Sequence, residues 1–167
     1  DFLWASAKRS VKLMAAYPGI KQQLSNLISQ LEQSKPNTEK AANKLVHGDF
    51  HLQQLLLLDN GRIALFDFDE LALGDPLQDL ANFSADLYNQ GFDIQLTNVL
   101  IQQLLHTYQS VTNLNSEHFG WHIRVQLLTR AYRAYIQQKP NLENQIELFL
   151  KAANDSCLIE QRVQSHV

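Results

Sequence analysis

Three side chains able to act together on a phosphate and a metal ion lie in one stretch, LVHGDFHLQQLLLLDNGRIALFDFDE, from Leu45 to Glu70. Asp49 follows a short apolar segment, and Gln54 and Asp67 come later in the same stretch. Phosphoryl transfer needs a carboxylate that orients the attacking hydroxyl and accepts its proton, together with oxygen ligands that hold Mg²⁺ against the phosphates. Because Mg²⁺ keeps several waters, one carboxylate and one amide oxygen are a sufficient protein ligand set.

The elements around these side chains predict a small β-structure. Residues 44–46 form a short apolar segment, and two apolar runs at 55–58 and 63–66 flank the turn signal Asp59-Asn60-Gly61. Two apolar runs joined by Asn-Gly are typical of a tight β-hairpin. Since the runs lack polar alternation, both faces of this hairpin are predicted to be covered.

The hairpin predicts that the three side chains meet. Asp49 lies on the loop after the first strand, Gln54 at the start of the next strand, and Asp67 at the exit of the hairpin. Because a hairpin folds back on itself, its exit lies near its entrance, and the three residues surround one point.

The remainder of the chain predicts helices. Apolar residues recur at helical spacing, and the segments concerned are 3–16, 20–33, 76–89, 94–111, 117–137 and 142–161. The fold class is therefore α+β and mostly α-helical, and residues 1–167 are predicted to form a single domain.

Composition limits the classes of function. The chain has 167 residues, of which 45% are hydrophobic and 19% charged, as in a globular protein. Residues 48–100 hold one arginine and nine acidic residues, which argues against nucleic-acid binding there. No apolar run approaches the roughly 20 residues of a membrane span, and no secretory leader is recognisable. With Cys157 as the single cysteine, we expect no internal disulfide and a reducing, cytoplasmic setting.

The segment HGDFHLQQLLLLDNGRIALFDFDELALGDPLQDLANF resembles the core of the aminoglycoside phosphotransferase and choline kinase-like family. That family has the protein kinase-like fold, and its pattern runs His-Gly-Asp, Asn, a hairpin, then an Asp that begins a short acidic or glycine motif. The resemblance extends over about Leu45–Phe83. It implies the carboxy-terminal lobe of a kinase-like fold, with the catalytic and metal loops at residues 44–70.

The resemblance implies an ATP- and Mg²⁺-dependent phosphotransferase that acts on a hydroxyl of a sugar, an aminoglycoside or an amino alcohol. It makes Asp49 the catalytic base, and His47 the residue that orients its loop. Gln54 and Asp67 become the Mg²⁺ ligands.

Two further acidic residues acquire supporting roles from the same resemblance, and a third has a structural one. Asp79, in QDLANF, buttresses the catalytic loop, and Asp69 supports the metal through an indirect contact. Asp75, just before Pro76, is expected to cap the helix that starts there.

The sequence departs from the family pattern in two places. Gln54 stands where Asn is usual, and HLQQ is similar to a variant in the maltokinase-like branch, which favours a sugar acceptor. No glycine-rich phosphate loop is present, and no β-rich segment precedes residue 44. Because the chain begins with Asp1, we expect it to be one lobe of a longer kinase, with the amino-terminal ATP lobe as its partner. Such a fragment would be inactive alone, and exposed apolar surface would make it self-associate.

Each site residue also has a structural interpretation. Asp49 could simply cap backbone N–H groups of a turn. His47 and His51 have the spacing of a helical zinc pair, but they lie in a loop, and packing within the loop is the preferred interpretation for His51. The predicted helix at 117–137 carries Trp121, His122, Arg124, Arg130 and Arg133. These side chains would line an acceptor pocket, or else they are a core tryptophan and surface arginines.

Two other classes of function remain open at this stage. One is a non-catalytic kinase-like protein that binds a nucleotide or a partner, which Gln54 favours. The other is a carboxylate-based metal hydrolase, active without ATP. The hydrolase would account for the acidic residues but not for the His-Gly-Asp and Asp-Leu-Ala sequences.

Overall fold

In the computed structural model of the chain, the structure describes residues 2–37, 44–112, 115–138 and 140–155. They form two compact units: the first consists of the segments Asp1–Pro36 and Gly120–Val167, and the second is Asn37–Phe119. The prediction of an α+β, mostly helical chain is confirmed. The assignment of the whole chain to one domain stays a prediction.

The elements follow one another closely. Within the described residues the α-helices are α1 (Phe2–Ala16), α2 (Lys21–Gln33), α3 (Pro76–Asn89), α4 (Ile94–Val111), α5 (Phe119–Ile136) and α6 (Leu142–Asp155). The strands are β1 (Lys44–Val46), β2 (Leu55–Leu57), β3 (Ile63–Leu65) and β4 (Ala72–Gly74), and short 3₁₀ helices occupy Pro18–Ile20 and Leu52–Gln54. The predicted bounds of α3 and α4 are confirmed, whereas residues 156–161 of the last predicted helix, and Cys157 with them, lie outside the described residues. No helix in the described ranges is long and apolar enough to cross a membrane.

Side-chain caps fix where the two helices after the strands begin. The Asp75 carboxylate accepts the backbone N–H of Leu77 at 3.0 Å, and Pro76 occupies the first turn, where its missing N–H costs nothing. The expectation for Asp75 is confirmed. Asp93 caps α4 in the same way by accepting the backbone N–H of Gln95 at 2.8 Å.

The first unit contains α1, α2, α6 and most of α5. Its α2 is amphipathic, as its pattern predicts, and buries the leucines at helical spacing, which are Leu24, Leu27 and Leu31. The interpretation of Arg124 as a surface arginine is wrong. Its side chain is buried, and its guanidinium donates to the side-chain oxygen of Gln30. On the same helix, the Trp121 indole N–H donates to the carbonyl oxygen of Leu31 at 2.8 Å.

The second unit contains all four strands, in two antiparallel pairs. β2 pairs with β3 through the register Leu57↔Ile63, which confirms the hairpin. β1 pairs with β4 through the register Val46↔Ala72. The sequence does not indicate β4. Three residues are too few to show the two-residue alternation of a strand, and the partner strand β1 lies far away in the chain.

The prediction that both faces of the hairpin are covered is wrong for the residues that the structure describes. Leu57 is 71% exposed, Ile63 is 66% exposed and Leu56 is 50% exposed. An uninterrupted apolar run is typical of a strand with layers on both sides. In this pair of three-residue strands the described elements leave much of the apolar surface open.

We expect this apolar surface to make the 167-residue chain self-associate, because exposed contiguous apolar patches favour contact with other molecules. The paired change Leu57→Lys with Ile63→Glu places opposite charges across the register and should shift the chain towards monomer. Sedimentation velocity over a range of concentrations measures the effect.

The matched control is Val111→Lys at the end of α4, since Val111 is 76% exposed and lies outside the hairpin. It should leave association unchanged. A wild-type chain that sediments as a clean monomer at high concentration would contradict the prediction.

Candidate active site

The loop after β1 is attached to α3 by a single carboxylate. Asp79 accepts the backbone N–H of His47 through Oδ2 at 2.6 Å and that of Gly48 through Oδ1 at 3.0 Å. Hydrogen bonds to an ionised carboxylate are stronger than those between neutral groups. Asp79 thus fixes the two residues that immediately precede Asp49.

Gly48 permits the turn that this attachment requires. Its φ is +85°, in the left-handed region that glycine adopts readily. A Cβ atom at this position would overlap the carbonyl oxygen of Glu70 and would lie 2.8 Å from the Cβ atom of Glu70. The loop after β1 therefore touches the backbone at the end of the acidic stretch.

His47 connects the same loop to the exit of the hairpin. Its buried ring places Nε2 2.7 Å from the carbonyl oxygen of Phe66, the residue before Asp67. Because a carbonyl oxygen only accepts, Nε2 must carry a proton in this contact. Nδ1 is buried without a hydrogen-bond partner among the described residues. This geometry leaves His47 occupied in holding two loops together.

Gln54 and Asp67 are in direct contact. The Gln54 amide nitrogen donates to Oδ2 of Asp67 at 3.1 Å, and the backbone oxygen of Gln54 accepts the N–H of Phe66 at 2.9 Å. Gln54 is the last residue of the short 3₁₀ helix. The prediction that Gln54 begins β2 is therefore wrong. Asp67 has a φ of 59°. A non-glycine residue in this left-handed region costs about 1–2 kcal/mol, and Asp tolerates it better than most.

Asp49 lies beside these groups and remains accessible. Its side chain is 43% exposed, and Oδ2 lies 3.3 Å from Nε2 of His51. Its other oxygen, Oδ1, receives a long contact of 3.5 Å from the Asn82 amide nitrogen. His51 Nε2 also lies 3.4 Å from the amide nitrogen of Gln54. The structure thus brings Asp49, Gln54 and Asp67 together, with His51 between the first two.

Asn82 and Asp86 are neighbours of the loop that the sequence analysis missed. Asp86 is buried and accepts the backbone N–H of Leu52 at 3.2 Å. With Asp79 they occupy positions i, i+3 and i+7 of α3, which share one face of a helix. The signal available in the sequence was the recurrence of polar side chains at helical spacing on one face of α3.

The ring of Phe83, also on α3, stacks on that of Phe50 at 4.8 Å between ring centroids. One face of α3 therefore supports the loop with an apolar contact as well as polar ones.

The oxygen donors suit a sparsely ligated divalent cation. Asp67 is exposed, and half a turn of the Gln54 amide would present an oxygen in place of the nitrogen that now contacts the Asp67 carboxylate. Hard cations such as Mg²⁺ prefer these ligands and complete their shell with water and phosphate oxygens. Asp69 is exposed two residues further on, and its supporting role stays a prediction. The described residues contain no group of three or more His, Cys, Asp or Glu side chains able to hold a metal ion.

Comparison with known proteins places the chain in a class. Residues 3–121 match the sequence model of the phosphotransferase enzyme family. The match covers most of the chain and includes Asp49, Gln54, Asp67 and the residues of α3 that support them. The chain belongs to this family, that of the aminoglycoside phosphotransferases and choline kinase-like proteins. Its mostly helical α+β fold is consistent with the carboxy-terminal lobe of a kinase-like fold. No curated protein and no solved structure matches the chain.

Replacing Asp79 should loosen the loop that carries Asp49. In Asp79→Asn one of the two backbone N–H groups faces an amide donor and loses its hydrogen bond, and a hydrogen bond to a charged group contributes about 1.5–3 kcal/mol. Urea unfolding measures the loss of stability, and hydrogen exchange at His47 and Gly48 localises it. The control is Asp69→Asn, the same chemical change at an exposed position. Equal stability and equal exchange in the two variants would contradict the attachment.

The close approach at Gly48 predicts a second effect. Gly48→Ala combines left-handed strain with overlap at Glu70, and overpacking alone costs about 1–3 kcal/mol. Gly61→Ala is the matched control, because φ there is +77° but a Cβ atom meets nothing within 4 Å. Chemical denaturation should show the larger loss for Gly48→Ala. Equal losses would mean that the backbone moves away at no cost.

Proposed function

We propose that the intact protein transfers the γ-phosphoryl group of ATP to a hydroxyl group of a small molecule, with Mg²⁺ as the metal. One observation carries the proposal. His51 contacts both Asp49, the predicted base, and Gln54, and Gln54 contacts Asp67. All three candidate residues lie outside the short strands but within three residues of one. Membership of a phosphotransferase family supports the same reaction class.

Asp49 is proposed to accept the proton of the acceptor hydroxyl. The hydroxyl oxygen forms a bond to the γ-phosphorus, the bond from that phosphorus to the β–γ bridging oxygen breaks, and ADP leaves. Half-exposure lets the Asp49 carboxylate meet an acceptor from solvent, while its contacts with His51 and Asn82 limit its rotation. Such catalysis consists mainly of positioning and charge stabilisation.

Asp67 and Gln54 are proposed to hold Mg²⁺, which when bound neutralises charge on the phosphate oxygens. Gln54 must then turn its amide oxygen towards the cation and release the hydrogen bond that its nitrogen now donates to Asp67. Asp79, with Asn82 and Asp86 on the same helix, keeps the loop of Asp49 in place during the reaction.

We also propose a class of acceptor. Sugars, aminoglycosides and amino alcohols all fit the reaction, and the HLQQ sequence, similar to the maltokinase-like variant, favours a sugar. An amino-terminal lobe is proposed to supply the remaining contacts to ATP and to cover the exposed apolar side chains of the hairpin. The single cysteine fits a reducing, cytoplasmic setting.

The alternative is a non-catalytic relative that binds a nucleotide or a partner. The contact between Gln54 and Asp67 favours it, because an amide nitrogen already occupies a carboxylate oxygen that the metal needs. Nucleotide binding that does not depend on Mg²⁺, without turnover, would distinguish this protein from the kinase.

Activity assays on the intact protein test the assignment. ATP consumption should depend on one acceptor from a panel of hydroxyl compounds and on Mg²⁺. Asp49→Asn should lower kcat by about 10²–10⁴-fold, because it removes a positioned base, while ATP binding is kept. Asp67→Asn should abolish the Mg²⁺ dependence of ATP binding.

The control is Asp59→Asn in the hairpin turn, an exposed aspartate outside the site, which should keep wild-type kcat. Wild-type kcat in Asp49→Asn would disprove the base assignment. Turnover of phosphate esters without ATP would point instead to a metal hydrolase.

A further inference from the structure

His51 occupies a central position that the proposed reaction leaves without a role. It lies between the loop of Asp49 and the 3₁₀ helix that ends at Gln54. Its backbone oxygen accepts the Gln54 N–H at 3.0 Å, so the two residues are held in one turn. Its side chain is 19% exposed, and Nε2 faces both the Asp49 carboxylate and the Gln54 amide.

One ring nitrogen cannot serve both neighbours as they stand. The Asp49 carboxylate only accepts hydrogen bonds, and the Gln54 amide nitrogen only donates them. In a neutral histidine, Nε2 either carries a proton or offers a lone pair. If Nε2 accepts from Gln54, two electron-rich atoms face each other at the 3.3 Å contact with Asp49. If Nε2 donates to Asp49, its proton faces the hydrogens of the Gln54 amide.

Half a turn of the Gln54 amide resolves this conflict. The rotation exchanges Oε1 and Nε2, and the Nε2–H of His51 can then be shared between the oxygens of Asp49 and Gln54. The exchange also sets Oε1 of Gln54 against the carboxylate of Asp67, and a cation between these two oxygens would satisfy both. The arrangement that suits His51 is therefore the arrangement that makes a metal site.

We infer that His51 is a positioning residue, whose single Nε2–H turns the Gln54 amide oxygen towards Asp67 and orients the Asp49 carboxylate. This inference rests on the proposed function, since it requires Asp67 and Gln54 to bind a divalent cation. It gives Gln54 an orientation that the amide alone does not specify. It also links the metal ligands to the base through one hydrogen-bond donor.

The closing experiment uses Mn²⁺ as a probe, with affinity read by electron paramagnetic resonance, and kcat and KM measured in the intact protein. His51→Phe keeps a ring but removes the donor, and should weaken Mn²⁺ binding and lower kcat by about 10–100-fold, the range for residues that orient metal ligands. KM for the acceptor should change little. His51→Gln restores an N–H donor and should recover most of both losses.

The matched control is His106→Phe on α4, an exposed histidine outside the site, which should match wild type throughout. Thermal unfolding of each variant excludes a loss caused by misfolding. A long-range ¹H–¹⁵N spectrum should show His51 protonated at Nε2 in the presence of Mg²⁺. This readout does not depend on turnover.

The outcomes separate the two proposals. If Asp67→Asn weakens Mn²⁺ binding but His51→Phe does not, or if the ring is protonated at Nδ1 with Mg²⁺ present, the inference about His51 is overturned and the proposed function stands. If His51→Gln is no better than His51→Phe, an N–H donor at this position does not restore metal binding or kcat, and the inference also fails. If the wild-type protein binds no Mn²⁺, and Asp67→Asn changes nothing, the proposed function fails and the inference fails with it.

Discussion

The site depends on one carboxylate that binds two consecutive backbone N–H groups. Asp79 projects from the first turn of α3 and accepts from His47 and Gly48, so the loop after β1 cannot move independently of the helix. A bidentate contact of this kind fixes orientation as well as position, because both oxygens are engaged. The placement of Asp49 follows from it, since Asp49 is the next residue in the chain.

The remaining contacts extend the same attachment in two directions. Along α3, Asn82 and Asp86 reach Asp49 and the backbone of Leu52, so one helix face supports the loop over three positions. Across the loop, the ring of His47 binds the carbonyl of Phe66 and sets the exit of the hairpin. Residues far apart in the chain become neighbours because a buried helix and a buried ring each hold the same short loop.

The chemistry of the site is a balance between carboxylates and the groups that face them. Asp49 and Asp67 are separated by the side chains of His51 and Gln54, which can each turn a donor or an acceptor towards them. In the structure the amide nitrogen of Gln54 donates to the Asp67 carboxylate. In the proposed reaction, the same amide presents its oxygen, and a glutamine serves where the family usually has asparagine.

Local sequence by itself determined the helices, the hairpin and the candidate chemistry. Helical periodicity and caps such as Asp75 set the bounds of α3 and α4, because these signals act within a few residues. Asn-Gly between apolar runs specified the hairpin, and the spacing of Asp49, Gln54 and Asp67 identified the residues that meet.

Tertiary structure alone decided which groups pair with these elements and which groups surround the site residues. β4 and the helix residues Asn82 and Asp86 went unnoticed because their partners lie 26 to 34 residues away in the chain. The exposure of Leu57 and Ile63 was mispredicted for a related reason: an apolar run records a tendency to be buried, but burial requires another element to cover it. The position of His51 between base and amide depends on a turn of the backbone, and no spacing rule specifies which way a ring nitrogen faces.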